Sequence, residues 1–158
     1  MKSNYQRTAD WLHACGKVPR HAGDLSVQIG CMAEEFREVL EALRLHKPGA
    51  SPDSSGWREV VERIVADMEA VGKALKKGEL LAYVEPGNRV DLLDGLCDVE
   101  VTLNGVAYLA GFDKDGADQE VLTSNESKLE NGKAVFVEGT TKIGKGRNYK
   151  APNLRGFV

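Results

Sequence analysis

Apolar residues recur at three- and four-residue intervals in five stretches of the chain, and this spacing predicts five α-helices. The stretches cover approximately residues 3–14, 24–46, 57–77, 89–110 and 116–129. Glycine at positions 16, 78 and 111 follows three of them, and glycine is the residue most typical of a helix C-terminus. Four or five long helices with short connections predict an all-α helical bundle.

The pattern changes after the fifth helix. Ala134–Val137 is a short β-prone run, and a basic, glycine-containing segment, GKGRNYKAP, follows at residues 144–152. We interpret residues 133–158 as a short hairpin or an extended arm. Together these patterns predict a single all-α domain over residues 1–158, with its core at about 24–130.

The bulk composition is that of an ordinary globular domain. The chain has 158 residues, 42% of them hydrophobic, which suffices to bury a core. Its net charge of −3 argues against a partner that is a nucleic acid polymer, because such binders usually carry a basic excess. A small phosphorylated substrate remains compatible, since a bound metal ion can supply positive charge locally.

Neither the N-terminal residues nor any later stretch contains the apolar run of a signal peptide or a membrane span. The three cysteines, Cys15, Cys31 and Cys97, lie far apart and form no CxxC pair. We therefore expect a cytoplasmic protein with reduced thiols and no contact with membranes.

The second predicted helix carries three acidic residues beside its apolar face. Glu35 lies at the edge of that face, Glu38 about 60° further round, and Glu34 about 40° beyond Glu38. Taken alone, such an EExxE pattern is typical of a solvated helix surface. Gln28 lies two turns before Glu35 on roughly the same side and is placed to meet the edge of a nucleobase.

The fourth predicted helix is apolar over most of its circumference, so we expect it to be the most buried one. Asp91, Asp94 and Asp98 nevertheless form a stripe along it, and no Lys or Arg occurs between Val90 and Phe112. Buried carboxylates need a partner. Oxygen ligands suit a hard divalent cation, so we predict a Mg²⁺ site, with Mn²⁺ as the alternative, shared by these two helices.

Two polar residues of the fourth helix do not fit this interpretation. Glu100 and Asn104 fall on its most apolar side, near Leu93 and Cys97. They either form hydrogen bonds across a subunit interface or contact the substrate, and the sequence leaves both roles open. Because a helix that is apolar nearly all round needs more cover than this chain offers, we expect a homodimer or a homotetramer.

The order of these motifs resembles the MazG-type and phosphoribosyl-ATP pyrophosphohydrolase-like superfamily of all-α nucleotide pyrophosphohydrolases. Glu34-Glu35-x-x-Glu38 and the later Asp94-Gly95-Leu96-Cys97-Asp98 are similar to the ExxE and ExxD motifs of that superfamily. Asn125-x-x-Lys128 resembles its NxxK motif, and the segment 144–152 resembles the KGxNYxxP ending of small members. The chain departs at Gly95, where the superfamily has the Glu of ExxD, so the role of Asp94 as a replacement is open.

The resemblance implies a Mg²⁺-dependent enzyme that cleaves a nucleoside triphosphate between its α and β phosphates. Three residues would then be direct metal ligands: Glu35, Glu38 and Asp98. Glu34, or whichever Glu is not fully engaged by the metal, would activate the attacking water. The expected substrate contacts are Gln28, Asn125 and Lys128, together with a C-terminal set that would close over the nucleotide, Lys145, Arg147 and Tyr149.

Three rival interpretations come from the same residues. A phosphoribosyl-ATP pyrophosphohydrolase usually has a Tyr-His pair soon after ExxD, whereas Val99-Glu100-Val101 follows Asp98 here. A non-catalytic helical module that binds a nucleotide or a partner is favoured by Gly95. A carboxylate-bridged di-iron bundle would need an ExxH pair on its helices, and the predicted helices contain none.

Overall fold

The computed structural model describes residues 2–43, 56–138 and 143–158. The described residues form five α-helices, one two-stranded sheet and two short 3₁₀ segments, which confirms the prediction of an all-α fold with a C-terminal arm. The helices are α1 (Asn4–Ala14), α2 (Ala22–Ala42), α3 (Trp57–Lys77), α4 (Arg89–Ala110) and α5 (Lys114–Glu126). The strands are β1 (Leu129–Glu130) and β2 (Lys133–Ala134), and the 3₁₀ segments are Pro86–Asn88 and Leu154–Phe157.

The predicted bounds of α3 and α4 are confirmed, because each helix ends at a glycine in the left-handed conformation. Gly78 has a φ of 75° and Gly111 has a φ of 79°, and both accept this backbone conformation without steric cost. The start of α1 is set by a capping box. The Ser3 hydroxyl accepts a hydrogen bond from the Gln6 amide, and the Gln6 side chain accepts one from the Ser3 amide.

The predicted start of α2 at Asp24 was wrong by two residues. The helix begins at Ala22, because the His21 ring caps it by accepting the hydrogen bond of the Asp24 amide at 3.2 Å. At its other end the described helix stops at Ala42. The predicted continuation to residue 46, and the predicted loop up to residue 55, lie largely outside the described residues.

The predicted end of α5 was also wrong by three residues. The helix ends at Glu126, and Asn131–Gly132 is the turn of the hairpin that joins β1 to β2 and does not mark the end of the helix. Asn131 and Gly132 have φ values of 51° and 75°, the combination that a two-residue hairpin turn requires.

Residue contacts divide the chain into two compact units, residues 1–18 with 85–158 (unit 1) and residues 19–84 (unit 2). In unit 2, α2 packs along α3 at a glycine crossing: a Cβ atom on Gly30 would lie 2.8 Å from the carbonyl oxygen of Gly72. The buried Ser26 hydroxyl donates to Ala22 O and accepts from the Ala82 amide, both at 2.7 Å. This pair of bonds attaches the segment after α3 to α2.

In unit 1, α1 and the C-terminal arm both pack on α5. The Asp113 amide before α5 donates to Phe157 O at 2.9 Å. The buried Ser124 hydroxyl donates to Lys150 O at 2.7 Å, and the Lys150 amide donates to the Ser127 hydroxyl at 2.9 Å. Hydrogen bonds to the backbone of Lys150 and Phe157 therefore hold the arm at the two ends of α5.

Within unit 1, the prediction that α4 is the most buried helix was wrong. Ala107 is its one buried residue, whereas Val90, Leu93, Val101 and Tyr108 are 76%, 64%, 69% and 82% exposed. Within unit 1 only one flank of α4 has neighbours. In the described part of the chain, no helix combines the length and the apolar character needed to cross a membrane.

An ion pair between α1 and α5 makes the stability of unit 1 sensitive to pH. Arg7 Nε and Nη2 donate to the two carboxylate oxygens of Glu126 at 2.7 and 2.8 Å. These hydrogen bonds hold the pKa of Glu126 below its ordinary value of 4.5, and burial opposes them less strongly. The stabilisation is therefore fully present above pH 4.5 and is lost as pH falls through the lowered pKa.

Replacing Glu126 with Gln is expected to lower the free energy of unfolding at pH 7 by at most about 1 kcal/mol, because the pair is partly exposed. The difference between the two proteins should shrink as the pH falls below 4.5. Denaturant unfolding at pH 7 and pH 3 measures it, with Glu85→Gln as the control for loss of one exposed carboxylate. A difference that is equal at both pH values would contradict this account.

Candidate functional site

Glu34, Glu35 and Glu38 of α2 lie on a partly exposed flank of unit 2, and each of them interacts with other groups of the chain. Glu34 forms an ion pair with Lys76 of α3, and both side chains are 32% exposed. Glu38 lies 3.3 Å from an Arg37 guanidinium nitrogen. Glu35 is exposed, as is Gln28 two turns earlier on the same helix. The Lys76 contact is a tertiary feature that the sequence pattern did not indicate.

The aspartates of α4 have no such partners. Asp91, Asp94 and Asp98 are exposed, and none of them forms a hydrogen bond or ion pair through its carboxylate with the described residues. Gly95 between them has open space around it, because a Cβ atom there would meet nothing within 4 Å. The stripe therefore presents up to three uncompensated charges, and the position that lacks the Glu of ExxD has room for a side chain.

The two carboxylate sets belong to different units, α2 to unit 2 and α4 to unit 1. Among the residues that the structure describes, no three His, Cys, Asp or Glu side chains are grouped so that they could hold a metal ion. A metal site shared by the two helices therefore stays a prediction.

Unit 1 brings two of the predicted substrate-binding motifs together at the end of α5. Lys128 Nζ donates to Asn125 Oδ1 at 2.7 Å and lies 5.9 Å from the centre of the Trp11 ring. Gly146 of the C-terminal arm packs against this corner, since a Cβ atom there would lie 2.8 Å from the carbonyl oxygen of Lys128. Only glycine permits this approach, which explains the glycine between Lys145 and Arg147.

The remaining predicted residues of the arm have defined positions beside this corner. Lys145 Nζ lies 4.6 Å from the centre of the Tyr149 ring, within cation–π distance. The Arg147 amide donates to Glu130 Oε1 at 2.7 Å, and the Arg147 Nε atom is 3.5 Å from Glu130 Oε2. The Arg147 side chain is 89% exposed, so its guanidinium group remains accessible to a ligand.

A cavity of about 400 Å³, absent from the sequence-based prediction, lies between α1, α4 and α5 within unit 1. Glu100, Asn104 and Asn125 contribute to its lining, whereas Asp94 and Asp98 do not. Asn125 is thus brought together with the two polar residues that fitted no role, and not with the aspartate stripe. The sequence signal for this cavity was the presence of Glu100 and Asn104 on the apolar side of α4.

No known family, curated protein or solved structure matches this chain in the three comparisons with known proteins.

Proposed function

We propose that this protein is a Mg²⁺-dependent nucleoside triphosphate pyrophosphohydrolase that releases pyrophosphate and a nucleoside monophosphate. The observation that carries the proposal is the stripe of Asp91, Asp94 and Asp98, whose exposed carboxylates have no basic partner among the described residues. Three carboxylates at this spacing repel one another unless a cation binds them. Their oxygen atoms are the ligand type that Mg²⁺ prefers, with Mn²⁺ as a substitute.

In this proposal four carboxylates would serve as metal ligands, those of Asp94 and Asp98 on α4 and those of Glu35 and Glu38 on α2. A Mg²⁺ ion held there would supply positive charge that offsets the negative charge of the triphosphate. Glu34 accepts the proton of the attacking water.

The cationic corner of unit 1 is proposed to bind the phosphate groups. The backbone carbonyl of Lys128 approaches Gly146, which lies between Lys145 and Arg147 in the chain. The Arg147 side chain is accessible to solvent. Arg binds phosphate oxygens through two parallel N–H donors, and Lys binds them as a point charge. Asn125 and Gln28 complete the proposed set as hydrogen-bonding partners of the sugar and the base.

We further propose that a second copy of the chain covers α4. The apolar residues Val90, Leu93, Cys97, Val101 and Tyr108 follow one another at intervals of three, four, four and seven residues, which align them along one side of the helix. A continuous exposed apolar stripe is typical of a surface that pairs with another helix.

Sedimentation at micromolar concentration should give the mass of a dimer or tetramer, and Val101→Asp should shift the measured mass toward that of the monomer. A wild-type protein that sediments as a monomer would refute this part.

The experiment that tests the activity is a panel of ribo- and deoxyribonucleoside triphosphates incubated with Mg²⁺, with pyrophosphate release as the readout. We expect at least one triphosphate to be cleaved, and Glu38→Gln to lower the rate by about 100-fold, because a metal ligand is lost. The control Glu59→Gln removes an exposed carboxylate of α3 that has no proposed role and should retain the rate.

If the wild type and Glu38→Gln are equally inactive toward every triphosphate, the enzymatic proposal fails. Binding of a triphosphate without its cleavage would then favour the alternative, a non-catalytic nucleotide-binding module. Cleavage restricted to phosphoribosyl-ATP would favour the other alternative, a phosphoribosyl-ATP pyrophosphohydrolase.

A further inference from the structure

The cavity of unit 1 combines apolar walls with an open mouth. Leu96 and Leu103 of α4 line one wall, and Val121 of α5 lines the other. These side chains are 43%, 39% and 37% exposed, so the cavity leaves apolar surface in contact with water. A volume of about 400 Å³ lies in the range of pockets that bind small organic molecules.

The part of this cavity that Leu103 lines faces away from the proposed metal ligands on α4. At about 100° per residue, Leu103 is about 180° from Asp94 and about 140° from Asp98 around the helix axis. Neither aspartate lines the cavity. The cavity is therefore a feature separate from the aspartate stripe of the same chain.

The polar groups of the cavity give it a net negative charge. Lys114 Nζ is paired with the Asp118 carboxylate at 2.6 and 2.7 Å, so these two charges offset each other. The Glu100 carboxylate and the Asn104 amide have no hydrogen bond or ion pair with the described residues. An uncompensated carboxylate disfavours phosphate groups and offers acceptors to N–H donors.

We propose that this cavity binds an uncharged aromatic heterocycle that carries an exocyclic amino group, as adenine, cytosine and guanine do. The leucine and valine side chains would cover the faces of the ring, while Glu100 accepts hydrogen bonds from the amino group. Asn104, which has both donors and an acceptor, pairs with the neighbouring ring edge. Uracil and thymine place carbonyl oxygens where the amino group would lie, and a carboxylate repels them.

The test uses nucleosides, which carry no phosphate, and the full chain in buffer with EDTA, so it does not depend on the proposed activity. Binding of adenosine, cytidine, guanosine, uridine and thymidine is measured by titration calorimetry. We expect cytidine or a purine nucleoside to bind about 10- to 100-fold more tightly than uridine, the range that one hydrogen bond to a charged group provides.

Glu100→Gln should abolish this preference, because the Gln side chain donates as readily as it accepts. Glu85→Gln, which removes an exposed carboxylate outside the cavity, should leave the preference unchanged. Circular dichroism establishes that each variant folds, and Asn104→Ala replaces Glu100→Gln in the test if the latter unfolds. A weaker binding of the aminated nucleosides by Asn104→Ala would then support the proposal.

The proposal is overturned if no nucleoside binds at millimolar concentration, or if uridine binds as tightly as cytidine and the purine nucleosides. It is also overturned if Glu100→Gln changes the sedimenting mass while the binding preference stays intact. That result would assign Glu100 to a subunit interface.

Discussion

Replacing Asp98 with Asn is expected to lower pyrophosphate release from the preferred triphosphate by at least about 100-fold. The change keeps the size of the side chain but removes the charge of a proposed metal ligand. Replacing a residue that only supports a metal ligand typically lowers metal affinity or activity by about 10- to 100-fold. Replacing a direct ligand is therefore expected to lower the rate by about 100-fold or more.

The dependence of the rate on Mg²⁺ concentration distinguishes this role from a structural one. If Asp98 binds the metal, its replacement should raise the Mg²⁺ concentration needed for half-maximal activity. Asp67→Asn, at an exposed position of α3, is the matched control and should change neither quantity. An Asp98→Asn protein with the wild-type rate and Mg²⁺ dependence would remove Asp98 from the proposed site.

Replacing Gly30 with Ala is expected to destabilise unit 2 by about 1–3 kcal/mol, the usual cost of overpacking a close contact. The added Cβ atom would lie 2.8 Å from the Gly72 carbonyl oxygen, which belongs to the backbone of α3 and cannot rotate away. It would also lie 2.8 Å from Lys76 Cγ, so the partner of Glu34 would have to move. The expected loss exceeds the gain of up to about 1 kcal/mol from the higher helix propensity of Ala.

Gly95→Ala supplies the matched control, because Gly95 also lies inside a helix but has open space around it. There the same substitution should raise the free energy of unfolding by up to about 1 kcal/mol. Chemical denaturation of both variants measures the two effects. If Gly30→Ala is as stable as Gly95→Ala, then α2 and α3 do not approach each other at the glycine crossing.

The elements that could be predicted from the sequence are those with local causes. The ends of α3 and α4 were predicted correctly, because Gly78 and Gly111 take a left-handed conformation that only glycine adopts freely. The end of α5 was missed for a related reason. Asn131–Gly132 favours positive φ wherever it occurs, so the pair alone did not distinguish the end of a helix from the turn of a hairpin.

The burial of α4 could not be predicted in this way. Apolar residues surround this helix. The pattern indicates which side chains would be stabilised by burial, but it does not indicate which other elements lie against them. In unit 1 the neighbours of α4 reach one flank only, and Val90, Val101 and Tyr108 remain exposed. Whether an apolar surface is covered depends on the other elements of the molecule and on its copies. The spacing of apolar residues within one helix carries no information about either.

The features of the candidate site are also of two kinds, those that helical geometry predicts and those that only the tertiary structure shows. Helical geometry by itself determined that Asp91, Asp94 and Asp98 share one stripe of α4, because residues three, four and seven apart lie on the same side of any α-helix. The tertiary structure alone decided that Lys76 contacts Glu34, that Gly146 packs against Lys128, and that Glu100 and Asn104 open into a cavity. These contacts join residues distant in the chain, so they arise from packing between elements and not from the period of any one of them.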